Sequence, residues 1–293
     1  SLRWFWAGRR CVLSGWRGES EMNNKLKQIF GADKPVIGMV HLLALPGNFG
    51  YEGDLDKVVH RALEDAAALK RGGAHGYLIE NAGSIPFHIG EGIDVMEVAA
   101  MSRIACTLRE KVDLPFGINI ASNGVRQALA VAKAAGGQFV RATGWVNGYY
   151  SSSGFVAPCA AECMEYKKKI NAENICVFAD IKVKNGSHSF IQDKTLEEMG
   201  KDALSALADG VILTGASTGI RPDLEELRRM KKAVKGPVII GSGTTKDNLE
   251  ELLPCGDAFI IGTYFKANGR MSEPVCEEKV RDFMKAWEAL AKK

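Results

Sequence analysis

The sequence predicts an α/β fold: a single (β/α)8 TIM barrel with a short N-terminal extension. Three observations point there. From Pro35 onward, short β-rich runs alternate with amphipathic stretches at helical spacing, and eight such pairs can be read along the chain. They occupy about 260 residues, the length of one closed barrel, with none left for a second domain. No glycine-rich dinucleotide fingerprint opens the first helix, which argues against an open doubly wound sheet. The chain accordingly divides into an extension over 1–33 and a barrel over 34–293.

The first expected strand, 36–41, is apolar and runs toward the turn-forming Pro46-Gly47-Asn48. A helix follows over 55–71, where Leu55, Val58, Val59, Ala62 and Ala66 form an apolar stripe. The second strand is 76–81 and its helix 95–111. The third is 115–120, with a helix over 125–135 that stops at Gly136-Gly137. The fourth is 139–143, followed by a helix around 160–170, and the fifth is 175–183, followed by a helix over 196–208. Strands six to eight are 210–213, 237–240 and 258–262, with helices over 224–234, 246–252 and 276–291.

Charge narrows the function classes. The chain has 293 residues with 38 Lys+Arg against 35 Asp+Glu, a net charge of +3. Residues 1–21 carry Arg3, Arg9, Arg10 and Arg17 against Glu19 and Glu21, which leaves 34 basic and 33 acidic side chains over the rest. A neutral body argues against a nucleic-acid partner. The absence of an 18-residue apolar run argues against a membrane span. The Arg- and Trp-rich start resembles an organellar transit segment, so a mitochondrial location is expected, with a translated leader and a cytoplasmic location as the alternative. Seven scattered cysteines suit a reducing compartment. No cofactor motif or metal-ligand spacing is found, so no cofactor and no metal are expected.

In a barrel of this kind the site lies at the carboxyl ends of the strands. The seventh strand ends Gly241-Ser242-Gly243-Thr244, and the eighth ends Gly262-Thr263. Glycines there let backbone N–H groups approach an anion, hydroxyls add donors, and Lys266 adds a charge, so a phosphate site is expected. Thr214 and Gly215, after strand six, border it. On strand five Asp180, Lys182 and Lys184 alternate onto one face. Burying that face against the outer helices would be costly, so it is expected in the mouth. Asp180 and Lys184 are the acid/base candidates, with Glu80 from strand two beside them. Asn119, Arg141 and Lys182 are the candidate substrate contacts. His41, Asn81 and Thr143 also stand at strand ends, where they read equally well as polar caps.

With these residues in view, the chain resembles the BtpA/SgcQ family of phosphate-binding barrel proteins over about residues 34–287. The resemblance is carried by KPVIGMVHLLALPG at 34–47, HGYLIEN with IPF at 75–87, and GINIASN at 117–123. It continues through ADIKVKN at 179–185, DGVILTGASTGIRPDLEEL at 209–227, PVIIGSGTTKDN at 237–248 and IGTYFK at 261–266. It implies anion binding and, for some family members, a link to photosystem I biogenesis in cyanobacteria, sugar metabolism or nucleotide hydrolysis. The chain departs from the family pattern at Ser122 and Gly124, at Ser152 and Ser153, and at Asn185.

Two functional expectations result. The first is an enzyme of lyase, isomerase or hydrolase type acting on a phosphorylated sugar or nucleotide. The second, motivated by the departures, is a non-catalytic assembly factor or phosphometabolite sensor. Homo-oligomerisation is compatible with both.

Overall fold

The computed structural model describes residues 19–215 and 219–291. The transit-like expectation for 1–21 and the Ala216–Thr218 part of the sixth strand's loop fall largely outside them. In chain order, α1 (Glu19–Phe30) precedes β1 (Val36–His41), α2 (Leu55–Gly72), β2 (Gly76–Glu80), α3 (Val95–Lys111) and β3 (Phe116–Asn119). Next come α4 (Val125–Ala135), β4 (Phe139–Ala142), a hairpin of β5 (Tyr149–Ser151) and β6 (Gly154–Val156), α5 (Ala160–Lys169) and β7 (Cys176–Asp180). The chain ends with α6 (Leu196–Ser205), β8 (Gly210–Leu213), α7 (Leu224–Ala233), β9 (Val238–Ile240), α8 (Leu249–Leu252), β10 (Ala258–Ile261) and α9 (Glu277–Ala291).

Among the described residues, eight parallel strands close in the order β1-β2-β3-β4-β7-β8-β9-β10, with β10 returning to β1. Strand alternation sorts the core into two layers. Ile37, Met39, Leu78, Phe139, Phe178, Ile212, Ile239 and Ile260 fill the interior. Val36, Val40, Ile79, Ile118, Val140 and Val177 face the surrounding helices. Local chemistry starts and stops the helices. Asp54 caps α2 by accepting from the Lys57 N–H, and Thr195 with Glu198 forms a reciprocal cap on α6.

Three features differ from the sequence expectation. Helix α1 lies in the expected N-terminal extension over 1–33, yet Leu26 and Phe30 join the interior cluster. The Phe30 ring meets Phe139 edge-on at 5.6 Å, so α1 closes the amino-terminal end of the barrel. The β5–β6 hairpin was not expected, because three-residue strands are too short to leave a periodic signal. Strand β7 stops at Asp180 rather than at 183. The chain then turns, with Asn185 at φ 62°, and Ser187 pairs in both directions with Tyr150 of the hairpin.

Candidate functional site

The carboxyl ends of the strands bring polar side chains to one level. In the ladder His41 is register partner of Glu80, and Glu80 of Asn119. Asn119 Nδ2 donates to Glu80 Oε1 at 3.0 Å, while Glu80 Oε2 lies 3.6 Å from His41 Nε2. From β4 and β7, Arg141 and Asp180 form a bidentate pair: Nε donates to Oδ2 at 2.7 Å, and the second guanidinium nitrogen to Oδ1 at 2.9 Å. Both are buried. Burial alone would lower the Arg141 pKa, but the Asp180 charge and its hydrogen bonds outweigh it, and the net shift is upward. Arg141 is therefore a fixed cation with its fork already occupied on one side.

Lys184 reaches the same cavity from the loop after β7. Burial, and then Arg141, push its pKa down, opposed by Glu80 and Asp180. Lys182 does not follow it. Once the strand ends at Asp180, alternation no longer applies, and Lys182 is exposed outside the cavity. Asp180, which shares that strand, pairs with Arg141 rather than with a lysine of its own segment, because Arg141 projects from the adjacent strand.

The cavity holding these groups has a volume of about 440 Å³. Of the expected residues, Glu80, Arg141 and Lys184 line it, as do Gly241, Ser242, Gly243, Thr244, Gly262 and Thr263. Asn119 and Asp180 stand behind their partners and hold them. Thr214 and Gly215 do not reach it: the Thr214 hydroxyl donates to the Lys182 carbonyl, and Gly215 packs against Ile220. Gly243 has φ +73°, and a Cβ on it would lie 2.1 Å from the Arg221 nitrogen, so no other residue fits. The Ser242 hydroxyl accepts from the Gly215 N–H and donates to the Ile220 carbonyl, which ties the β8 loop to the β9 loop. The buried Thr244 hydroxyl has no hydrogen-bond partner among the described residues.

Lys266 is not the phosphate-side cation. It is fully buried and paired with Asp65 at 2.8 Å, and Asp65 also accepts from the Val275 N–H. Burial lowers the Lys266 pKa and Asp65 opposes that shift, as expected for a structural ion pair. The cation lining the cavity beside the glycine loops is Lys279 of α9, whose ammonium donates to the Lys266 carbonyl at 2.8 Å. Its helix gives no local signal of such a role.

Two further groups join the site. The hairpin delivers Tyr149, a buried phenol that meets Thr143 and Ser122 and stacks on His188 with ring centroids 5.2 Å apart. Burial raises the Tyr149 pKa and Asp180 adds to the rise, while the hydroxyl contacts oppose it. His41, which the sequence leaves open between a polar cap and a functional group, is buried with Nδ1 unpartnered among the described residues. Burial and the charges of Lys266, Lys184 and Arg141 hold its pKa well below the usual histidine value, so the ring is neutral near pH 7.

The departures from the family pattern sort by position. Ser122 faces Tyr149. A Cβ on Gly124 would lie 2.5 Å from Ile93, so that glycine meets a packing demand. Ser152 and Ser153 sit exposed at the hairpin tip. Asn185 lines the cavity. Among the described residues, no group of three or more His, Cys, Asp or Glu stands together in a metal-ligating arrangement.

A family model described as the BtpA family matches residues 32–289. The photosystem I biogenesis protein BtpA of Synechocystis is 34% identical over 263 residues, covering 89% of this chain and 90% of that protein. A Caenorhabditis elegans protein described as mitochondrial is 31% identical over 265 residues, covering 89% of this chain and 95% of its own. Among solved structures, thiamine phosphate pyrophosphorylase from Pyrococcus furiosus superimposes with a TM-score of 0.54 at 18% identity, over 92% of this chain and 98% of that one. At that identity the likeness concerns the barrel alone.

Proposed function

The chain belongs to the BtpA family, and we propose that it is an enzyme acting on a phosphorylated sugar or nucleotide at the carboxyl face of its barrel. The observation that carries this reading is the position of Lys184. Its partly desolvated ammonium lies beside Arg141 in the cavity that also holds the Gly241–Thr244 and Gly262–Thr263 loops. On this reading the phosphate sits against those loops and Lys279, where backbone N–H groups and the Thr244 hydroxyl meet its oxygens. The carbon skeleton then extends toward Arg141, Lys184 and Glu80. Arg141, held by Asp180, stabilises negative charge developing on a substrate oxygen. Lys184 and Glu80 exchange a proton with the adjacent carbon or leaving group, a division of labour suited to lyase, isomerase or hydrolase chemistry. Asp180 acts through Arg141, and Asn119 through Glu80.

Turnover of a panel of phosphorylated metabolites tests the reading. Wild type converts at least one compound, while Lys184→Met and Glu80→Gln lose about 10²–10⁴-fold of that rate. Equal traces from all three proteins would contradict it.

The second reading is a non-catalytic factor that binds a phosphometabolite and assists assembly of a complex. It is favoured by the name of the Synechocystis relative and by the small polar residues at Ser122 and Asn185. It predicts ligand-induced thermal stabilisation, lost in Gly243→Val, with no turnover. For location we favour the mitochondrion, on the Arg-rich start and the worm relative. Fusing residues 1–33 to a fluorescent protein tests this, and diffuse fluorescence would contradict it.

A further inference from the structure

A second cavity, of about 560 Å³, adjoins the first, and His41, Ala82, Ile85 and Met271 line both. It lies between the loops after β1 and β2 and the amino-terminal turn of α2. Its wall is apolar, with Leu42, Leu43 and the Tyr51 ring. Its polar lining is Glu52, Asp54, Lys57 and Arg61, in which Lys57 pairs with Glu52 and Arg61 donates to the Ser272 carbonyl. At the junction Ile85 is 56% exposed and Met271 36% exposed, large apolar side chains left open where the two spaces meet. His41 lies at the same junction, its Nδ1 buried and without a hydrogen-bond partner among the described residues.

Resting on the reading that the glycine loops hold a phosphate, we propose that the ligand is a nucleotide whose base occupies this second cavity, with its ribose passing His41. Each space falls in the range of roughly 300–1,000 Å³ usual for a small-molecule site, so a short sugar phosphate fills the first and leaves the second untouched. A base matches the second in character. Its faces suit Tyr51, Ile85 and Met271, its hydrogen-bonding edge suits the polar side chains of the lining, and the ribose passes the His41 ring at the junction. The loop after β10 lies against His41, where a Cβ on Gly262 would come 3.2 Å from the ring, so a phosphate there reaches the second cavity across His41, with Arg141 and Lys184 entering from β4 and the loop after β7 across the barrel.

Calorimetric titration of the full chain with adenosine 5′-monophosphate, ribose 5-phosphate, adenosine and inorganic phosphate tests it. The monophosphate is expected to bind about tenfold or more tightly than ribose 5-phosphate, the scale of one base stacked on an aromatic ring. Tyr51→Ala is expected to erase most of that advantage while leaving ribose 5-phosphate affinity within about twofold. Leu43→Ala, at a half-buried position that lines the second cavity and not the first, serves the same purpose should the tyrosine variant fail to fold. Equal affinity for the two phosphates, untouched by either variant, overturns the base site and leaves the phosphate reading standing. Tyr51-dependent binding of adenosine with no gain from its phosphate supports the base site and removes the phosphate reading. Binding of none of the four overturns both.

Discussion

Arg141 and Asp180 form a buried pair in which each partner satisfies the other's desolvated charge. Removing one side strands the other, so Asp180→Asn is expected to cost about 3–5 kcal/mol of stability, measurable by chemical denaturation. It should also lower turnover by freeing the Arg141 fork, and unchanged stability would argue that the pair is looser than described. His41 makes a second prediction with a definite sign. Its folded pKa lies well below its unfolded value of about 6.5, so below that pH the unfolded chain takes up a proton that the folded chain refuses. Stability therefore falls as pH drops from about 6.5, by up to about 1.4 kcal/mol per unit from this group, and His41→Asn flattens part of the acid limb. Lys184 bears on rate rather than folding. With its pKa lowered, a step using its free amine rises with pH and levels off below the ordinary lysine value of about 10.4. A pH–rate profile levelling off only above that value would count against the role.

At the scale of elements, helix α1 and the β5–β6 hairpin illustrate what the sequence hides and why. The eight barrel strands were legible because apolar runs between turn signals recur at steady intervals, and Asn119, Glu80 and Arg141 followed from their places at strand ends. Helix α1 was obscured because it begins next to a basic segment that reads as an address, and its core contacts among the described residues, Leu26, Phe30 and the half-buried Ile29, are too few to mark a face. Lys182 was misplaced by extending strand alternation past Asp180, where the chain turns to meet the hairpin. Lys266 was misread because sequence does not reveal that Asp65, two hundred residues away, receives its ammonium. Lys279 and Tyr149 were missed for the related reason that they arrive from elements with no strand-end signature. Removal of the plug is testable. Phe30→Ala is expected to cost about 3–5 kcal/mol by leaving a cavity beneath Phe139, while ligand affinity at the far end of the barrel stays the same. A matching loss of affinity would mean the two ends are coupled.

The whole molecule separates these duties along one axis. The amino-terminal end is filled by Leu26, Phe30 and Phe139 and serves stability, while the carboxyl end gathers Glu80, Arg141, Lys184 and the glycine loops. The net charge of +3 is nearly absent from residues 22–293, so attraction for an anion comes from Lys279, Arg141 and the loops rather than from the field of the body. Anion affinity should therefore weaken only modestly between low and physiological salt, since few charges take part. The most direct test of the phosphate-anchored site is a crystal structure of the chain with millimolar ribose 5-phosphate. The phosphate is expected between the Gly241–Thr244 and Gly262–Thr263 loops beside Lys279, with the sugar carbons directed toward Arg141 and Lys184. A phosphate bound elsewhere, with those loops empty, would contradict it.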